Sequence, residues 1–406
     1  MKKRIIFLGC IICACLLLVV IIRKKTENEN KAVFELYLYG NMDGMTGKSD
    51  VRPITASFKQ GNKKVECYAS IKLQGSSSLA YDKKNYTIKF YSDSEHEISK
   101  GIDVGWGKEN EYCLKANWVD KTHSRNIVTA KLAAEVQNKY DVLKSTPCNG
   151  LIDGFPVEVY INDEFHGLYT WNIPKSAWQF GMDEENPNHI VMCGETWEEA
   201  ARFYALPDSY SWNVEAGPKD DETFSKFSRL FEFVMNSSDE EFKNMFNEYL
   251  DLDAVLNYYI LVDFAYLPDN CAKNMLLVTY DGEIWYPSLY DLDTSWGVHY
   301  SAEELYDYDQ QLVTFGETSN LARRVESVFA NELHERYFEL REEILTKEHV
   351  LDLFYDFEDQ ISKESREKEI DKWGTKIPGY DLFQIEDYLD SILEQLDKKY
   401  TNMKAD

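Results

Sequence analysis

Residues 262–297 read VDFAYLPDNCAKNMLLVTYDGEIWYPSLYDLDTSWG. An apolar helical run ends at the turn Pro268-Asp269-Asn270. A short strand (MLLVTY) follows, then a tight Asp281-Gly282 turn, then a second strand (EIWYPSLY) ending in Asp291-Leu292-Asp293. Asp269 and Asn274 stand five residues apart in the turn, and Asp291 follows on the far side of the hairpin. Metal-dependent phosphoryl transfer uses such a set: one carboxylate to take a hydroxyl proton, and an amide and a second carboxylate to hold a divalent ion. Acids are common in this chain, and DN and DG turns also simply connect strands. The surrounding sequence therefore has to carry the decision.

The chain has 406 residues, enough for a large core and for two lobes. Its net charge is -27, and the first 25 residues hold six Lys/Arg and no acid, so the remainder is more acidic still. That balance excludes duplex nucleic acid as the main partner. It leaves room for a nucleotide, which a few placed lysines and a metal can hold. Three of eight cysteines lie in the N-terminal apolar run. Cys67, Cys113, Cys148, Cys193 and Cys271 are scattered without a CxxC pair, so neither a complete disulfide framework nor a zinc site is expected. The seven histidines form no HExxH.

Upstream, MKKRIIFLGCIICACLLLVVIIRKK opens the chain. Residues 5–22 are uncharged and apolar between basic clusters, the length of one bilayer-spanning helix. Arg23-Lys24-Lys25 is unlike a cleavage site. The expectation is an N-terminal membrane anchor over 1–25, with a lipoprotein signal at Cys10 or Cys15 as the alternative, then a short linker over 26–31 and a catalytic part outside the cell. Residues 32–100 alternate as strands, with Val65, Cys67, Ala69, Ile71 and Leu73 on one face. Gly75-Ser76-Ser77-Ser78 then gives small residues whose backbone N–H groups can approach phosphates, and Lys84 and Lys89 follow on the next strand. A plain hairpin with a serine-rich tip reads the same way. A helix is expected over 124–140, where Glu135 could pair with a strand lysine or simply face solvent. A hairpin over 155–171 turns at Asn162-Asp163, residues 172–222 are irregular, and helices follow over 223–247, 252–266, 320–345, 347–370 and 382–400.

Five pieces occur in one order: LQGSSSLAYDKKNYTIKF, YCLKANWVDKTHSRN, VEVYINDEFHGLYTW, PDNCAKN and YPSLYDLDTSWG. On these the chain resembles the spore-coat-protein-H (CotH) kinase family of atypical, secreted or spore-associated protein kinases, over roughly residues 32–300. The resemblance implies an α+β, bilobal atypical protein-kinase-like fold after an N-terminal transmembrane helix. Its β-rich N-lobe would span 32–193, and its helix-rich C-lobe 194–406, with the catalytic hairpin at 262–297. It implies transfer of the γ-phosphoryl group of ATP, with Mg²⁺ (Mn²⁺ as the alternative ion), to Ser/Thr of surface or spore-coat proteins.

Carried over residue by residue, Asp269 is the catalytic aspartate, and Asn274 and Asp291 are metal ligands. Asp293 is a second metal ligand or a loop-orienting acid. Gly75 and Ser76 approach the phosphates, Lys84 or Lys89 is the phosphate-binding lysine, and Arg125 is either structural or a phosphate contact. Gln74 and Asn172 depart from residues common among relatives. Two other readings compete: a non-catalytic surface-binding protein that keeps the fold, and a hydrolase using Asp291/Asp293 or Glu303/Glu304 as paired carboxylates.

Overall fold

Alternation organises the first half. In the computed structural model, which describes residues 33–403 apart from 61, 141, 300–304, 308–313 and 375–381, seven strands pair in the order β1-β2-β3-β4-β7-β9-β8. These are β1 (Phe34–Tyr39), β2 (Arg52–Gln60), β3 (Lys63–Gln74), β4 (Asn85–Tyr91), β7 (Glu111–Lys115), β8 (Gly154–Ile161) and β9 (Glu164–Asn172). A two-stranded ribbon, β5 (Ile102–Asp103) and β6 (Lys108–Glu109), sits between β4 and β7. Every barrel pairing is antiparallel except β1 with β8, which runs parallel from Phe34 opposite Val157 to Leu38 opposite Ile161 and closes the sheet on itself.

The inward faces are apolar by period two: Leu36 and Leu38, Ala69 and Ile71, Ile88 and Phe90, Val157 and Val159 are all buried. Trp171 fills the middle, stacked on Phe90 at 5.7 Å and meeting Tyr112 edge-on at 5.3 Å. The β8–β9 turn falls at Asn162-Asp163, both with positive φ (49° and 68°), as a primed hairpin turn requires.

This closure corrects the expected fold class. The β-rich half is a closed seven-stranded barrel, not the N-lobe of a bilobal kinase-like fold. The parallel β1–β8 pairing is what overturns the expectation. Among the described residues no helix is long and apolar enough to cross a membrane. The expected anchor and linker, residues 1–31, lie outside the described residues, as do Glu303 and Glu304.

Helix α1 (Arg125–Tyr140) packs between the barrel and the helical half. A second sheet, in the order β11-β10-β12-β13, is antiparallel throughout and joins β10 (Ile190–Gly194) and β11 (Trp212–Ala216) to β12 (Leu276–Thr279) and β13 (Tyr286–Ser288). The β12–β13 connection is longer than the expected tight turn. Asp281 Oδ1 accepts from the N–H groups of Glu283 and Ile284 and so builds an Asx turn across residues 280–285.

The remaining helices are α2 (Asp221–Asn236), α3 (Asp239–Met245), α4 (Leu252–Ala265), α5 (Asn320–Val328), α6 (Ala330–Arg341), α7 (Lys347–Glu358), α8 (Lys363–Trp373) and α9 (Leu382–Asn402). Two segments expected as single helices each split in two. The first breaks at Phe329, whose φ and ψ leave the helical region, and the second where Ser362 caps α8 by accepting from Ser365 N. Helix α4 is buried on all sides from Ala254 to Ala265, the mark of a core helix.

Two buried cations fix the helical half to the barrel. Lys83 Nζ donates to Ala116 O (3.0 Å), Leu168 O (2.5 Å) and Glu369 Oε1 (2.6 Å), stapling α8 to β9. Arg125, fully buried, pairs with Asp120 and donates from Nη2 to Gln384 Oε1 on α9 at 2.7 Å. Removing one partner of a buried ion pair leaves the other uncompensated. Arg125→Ala is therefore expected to lower the unfolding free energy by about 3–5 kcal/mol in chemical denaturation. An unchanged midpoint would contradict the structural role given to Arg125.

Candidate active site

Helix α4 ends because Tyr266 turns left-handed (φ 52°) and Pro268 follows. Residues Pro268–Cys271 then form one 3-10 turn that carries Asp269. Asn270 ties this turn to both flanks. Its Nδ2 donates to Tyr290 O at 2.9 Å and to Asn274 O at 3.4 Å. Asn274 N donates to Gly194 O at 2.8 Å. The approach is so close that a Cβ on Gly194 would lie 1.9 Å from Ala272 O. Asn274 and Asp291 both hold left-handed backbone (φ 66° and 59°), a conformation that costs about 1 kcal/mol for a non-glycine residue and clusters at functional turns. The segment after Asp291 is fixed by Asn126 at the start of α1, whose Oδ1 accepts from Leu292 N at 3.0 Å.

The charges at this turn are arranged against one another. Burial raises the Asp293 carboxyl to about 7, and the neighbouring Asp291 carboxylate adds to the rise. Burial also raises the Asp269 carboxyl; the Trp197 indole N–H and Lys273 oppose that rise and Asp291 reinforces it. Trp197 Nε1 donates to Asp269 Oδ1 at 2.9 Å. Facing the acids is Lys115, the last residue of β7, with Nζ 3.8 Å from Asp291 Oδ1. Burial works against its ammonium charge, but Tyr290, Asp291, Cys113 and Asp293 together hold its pKa above the ordinary lysine value. Ser78, Tyr81, Asn85, Lys115, Asn126 and Asp293 line one crevice between the serine loop and the Asp293 turn.

The structure brings some of the expected site residues here and separates others. Asp269, Asn274, Asp291 and Asp293 gather around the two turns. Gly75 and Ser76 begin the serine loop, where φ is 104° at Gly75 and an added Cβ would meet Ser78 Oγ at 1.8 Å, so only glycine fits. Ser78, rather than Ser76, lines the crevice, and Ser76 is exposed. Lys84 turns back on its own loop and donates to Leu79 O at 2.8 Å and to Tyr81 O. Lys89 lies opposite Glu111. Leu114 pairs with Tyr86, so Lys89 sits four residues beyond Lys115's row, roughly 13 Å along the strand. Arg125 is consumed by Asp120 and Gln384 and reaches no crevice. Glu135 contacts His349 Nε2 at 2.5 Å and not a strand lysine.

Lys115 and Trp197 escaped the sequence reading. Lys115 stood in a quoted motif, and its alternation with Tyr112 and Leu114 put it outside the barrel on the same face as Cys113. Trp197 lay in a stretch without periodicity.

Asn274, Asp291 and Asp293 supply only oxygen donors, two of them mutually repelling carboxylates, a set suited to a hard divalent cation such as Mg²⁺ or Mn²⁺. A softer cluster, Cys193, Glu195 and Glu215, converges nearby, and Lys175 Nζ already engages two of its members, 2.8 Å from Glu215 and 3.2 Å from Cys193 Sγ. All five cysteines among the described residues are free. In comparison with known protein families, the CotH kinase protein family matches residues 71–404, most of the chain. No curated protein matches it.

Proposed function

Because the chain belongs to the CotH kinase family, we propose that it transfers the γ-phosphoryl group of ATP to Ser/Thr hydroxyls of surface or spore-coat proteins. The observation that carries the reading is the opposition of Lys115 to the Asp291/Asp293 pair, with Asp269 on the adjoining turn. Two acids forced together beside one lysine leave an excess of negative charge that a divalent cation would offset, and that cation and Lys115 together would offset the charge of a polyphosphate. Asn274, Asp291 and Asp293 would hold the divalent ion, which supplies charge neutralisation at the phosphates.

The chain's own groups do the rest. Lys115 reaches the phosphate oxygens, and the serine loop covers them. Asp269 orients the acceptor hydroxyl and takes its proton. The acceptor oxygen bonds to the γ-phosphorus, the bond from that phosphorus to the β–γ bridging oxygen breaks, and ADP leaves with the electron pair. Phosphoryl transfer asks chiefly for such positioning and charge placement.

The test is incorporation of label from γ-labelled ATP into a Ser/Thr protein by the purified protein, with and without divalent cation. Label that appears equally in EDTA, or none at all, would refute the reading. Lys115→Met is expected to lower turnover about a hundred-fold. Lys89→Met should stay within about two-fold of wild type, since changes away from a site are near neutral, and Lys84→Met, which loosens the loop around Leu79 and Tyr81, should cost less than Lys115→Met. A loss confined to Lys84→Met would return the phosphate role to that residue.

A further inference from the structure

The geometry points to Trp197 as a positioning residue for Asp269, a role that rests on the phosphotransfer reading above. The indole Nε1–H holds Asp269 Oδ1 at 2.9 Å. Among the described residues Asp269 Oδ2 has no hydrogen-bond partner. A carboxylate with one oxygen tied and the other open presents a single lone-pair direction to an incoming hydroxyl, which is what a proton acceptor needs for an aligned approach. A tryptophan that served only packing would be enclosed. This one remains 38% exposed, with its polar edge turned onto the carboxylate.

The loop that delivers Trp197 is braced on both sides, so the indole arrives with little freedom left to lose. Before it, Gly194 N donates to Met275 O at 2.9 Å, and Gly194 O accepts from Asn274 N, locking the loop's root to the turn that carries Asn274. On the same side Glu195 N donates to Ser211 O at 2.9 Å, and after Trp197 the Trp212 Nε1 donates to Ala200 O at 3.1 Å. The far end is anchored in the helical half. Asn320 donates from N to Arg202 O (2.9 Å) and from Nδ2 to Phe203 O (3.1 Å), and the Phe203 ring stacks on Phe231 at 4.2 Å. Trp197 and Asp269 are thus two ends of one rigid bracket that also fixes Asn274. A shift of either end would move the base relative to the phosphates, and small misplacements of a catalytic group are costly.

The test is a double-mutant cycle read in single-turnover transfer. Trp197→Phe keeps the ring and deletes the donor. It should lower kcat about ten-fold while leaving the KM for ATP and the melting temperature unchanged. In an Asp269→Ala background the same substitution should change the residual rate by less than about two-fold, because nothing remains to position. Wild-type kcat in Trp197→Phe overturns the role. So do losses that multiply in the Asp269→Ala background, which would assign Trp197 to acceptor docking instead. Absence of transfer by the wild-type protein refutes the kinase reading itself and the positioning role with it, so the two failures are told apart.

Discussion

Asp291→Asn is expected to abolish label transfer, by about a thousand-fold or more, and to remove the rise in melting temperature expected of the wild-type protein with ATP plus Mg²⁺. The substitution isolates charge from shape. Asparagine tolerates the left-handed backbone that Asp291 adopts (φ 59°), whereas alanine would add strain. The side chain is 41% exposed and its ion-pair partner is Lys115 at 3.8 Å, so little of the fold depends on it. Removing its charge also relieves Asp293, whose carboxyl Asp291 helps to push up to about 7. The melting temperature without nucleotide should therefore hold or rise slightly. Equal label incorporation by wild type and variant would end the kinase hypothesis.

Asp269→Ala should separate chemistry from binding. The expected nucleotide-induced melting shift should survive, because the proposed cation donors Asn274, Asp291 and Asp293 remain, while turnover falls about 10²–10⁴-fold, the usual contribution of a positioned acid–base group. The wild-type pH profile should carry the same signature. Burial raises the Asp269 carboxyl, and only the ionised form accepts a proton. Turnover should fall on the acid side at a higher pH than an ordinary aspartate would give, and that limb should vanish from the residual activity of Asp269→Ala. A variant that lost nucleotide binding along with turnover would move Asp269 from base to ligand.

What could be read from the sequence was what lies within one or two turns of chain. The β8–β9 hairpin announces itself by alternation and by Asn162-Asp163. Helix α1 begins after two residues able to cap it, Asp120 and Thr122, and Asp120 Oδ2 accepts from Arg125 N at 2.8 Å. The two acid-bearing turns were likewise legible, since Asp269, Asn274 and Asp291 are spaced by a local hairpin. Contacts made across the chain left no such trace. Barrel closure depends on β1 meeting β8 in parallel, and neither strand's own pattern names its partner. Arg125, a cation opening a helix, reads equally as structural or as a phosphate contact until Gln384, 259 residues away, is seen to occupy its fork. Lys84 and Lys89 in DKKNYTIK stood out by their place on the strand after the serine loop, where the family resemblance put the phosphate lysine. Lys84 proved to bind carbonyls of its own loop, and the cation that meets the acids comes from a strand end with only one lysine.

Helix α9 adds a temporal consequence. Its Gln384 bonds Arg125 and Trp296 O, its Tyr388 bonds Phe264 O, and its Lys399 pairs with the buried Asp263 at 2.6 Å. Those groups hold the N-terminus of α1 and the end of α4, from which the Asp269 and Asp291 turns hang. On the ribosome, segments emerge in chain order and fold as units. The barrel can therefore form while α9 is still unmade, but the two acid-bearing turns lack the support of α9 until translation has passed residue 400. A nascent chain arrested before that point should resist proteolysis in its barrel and yet phosphorylate nothing. On the phosphotransfer reading, synthesis itself would withhold activity until α9 is made.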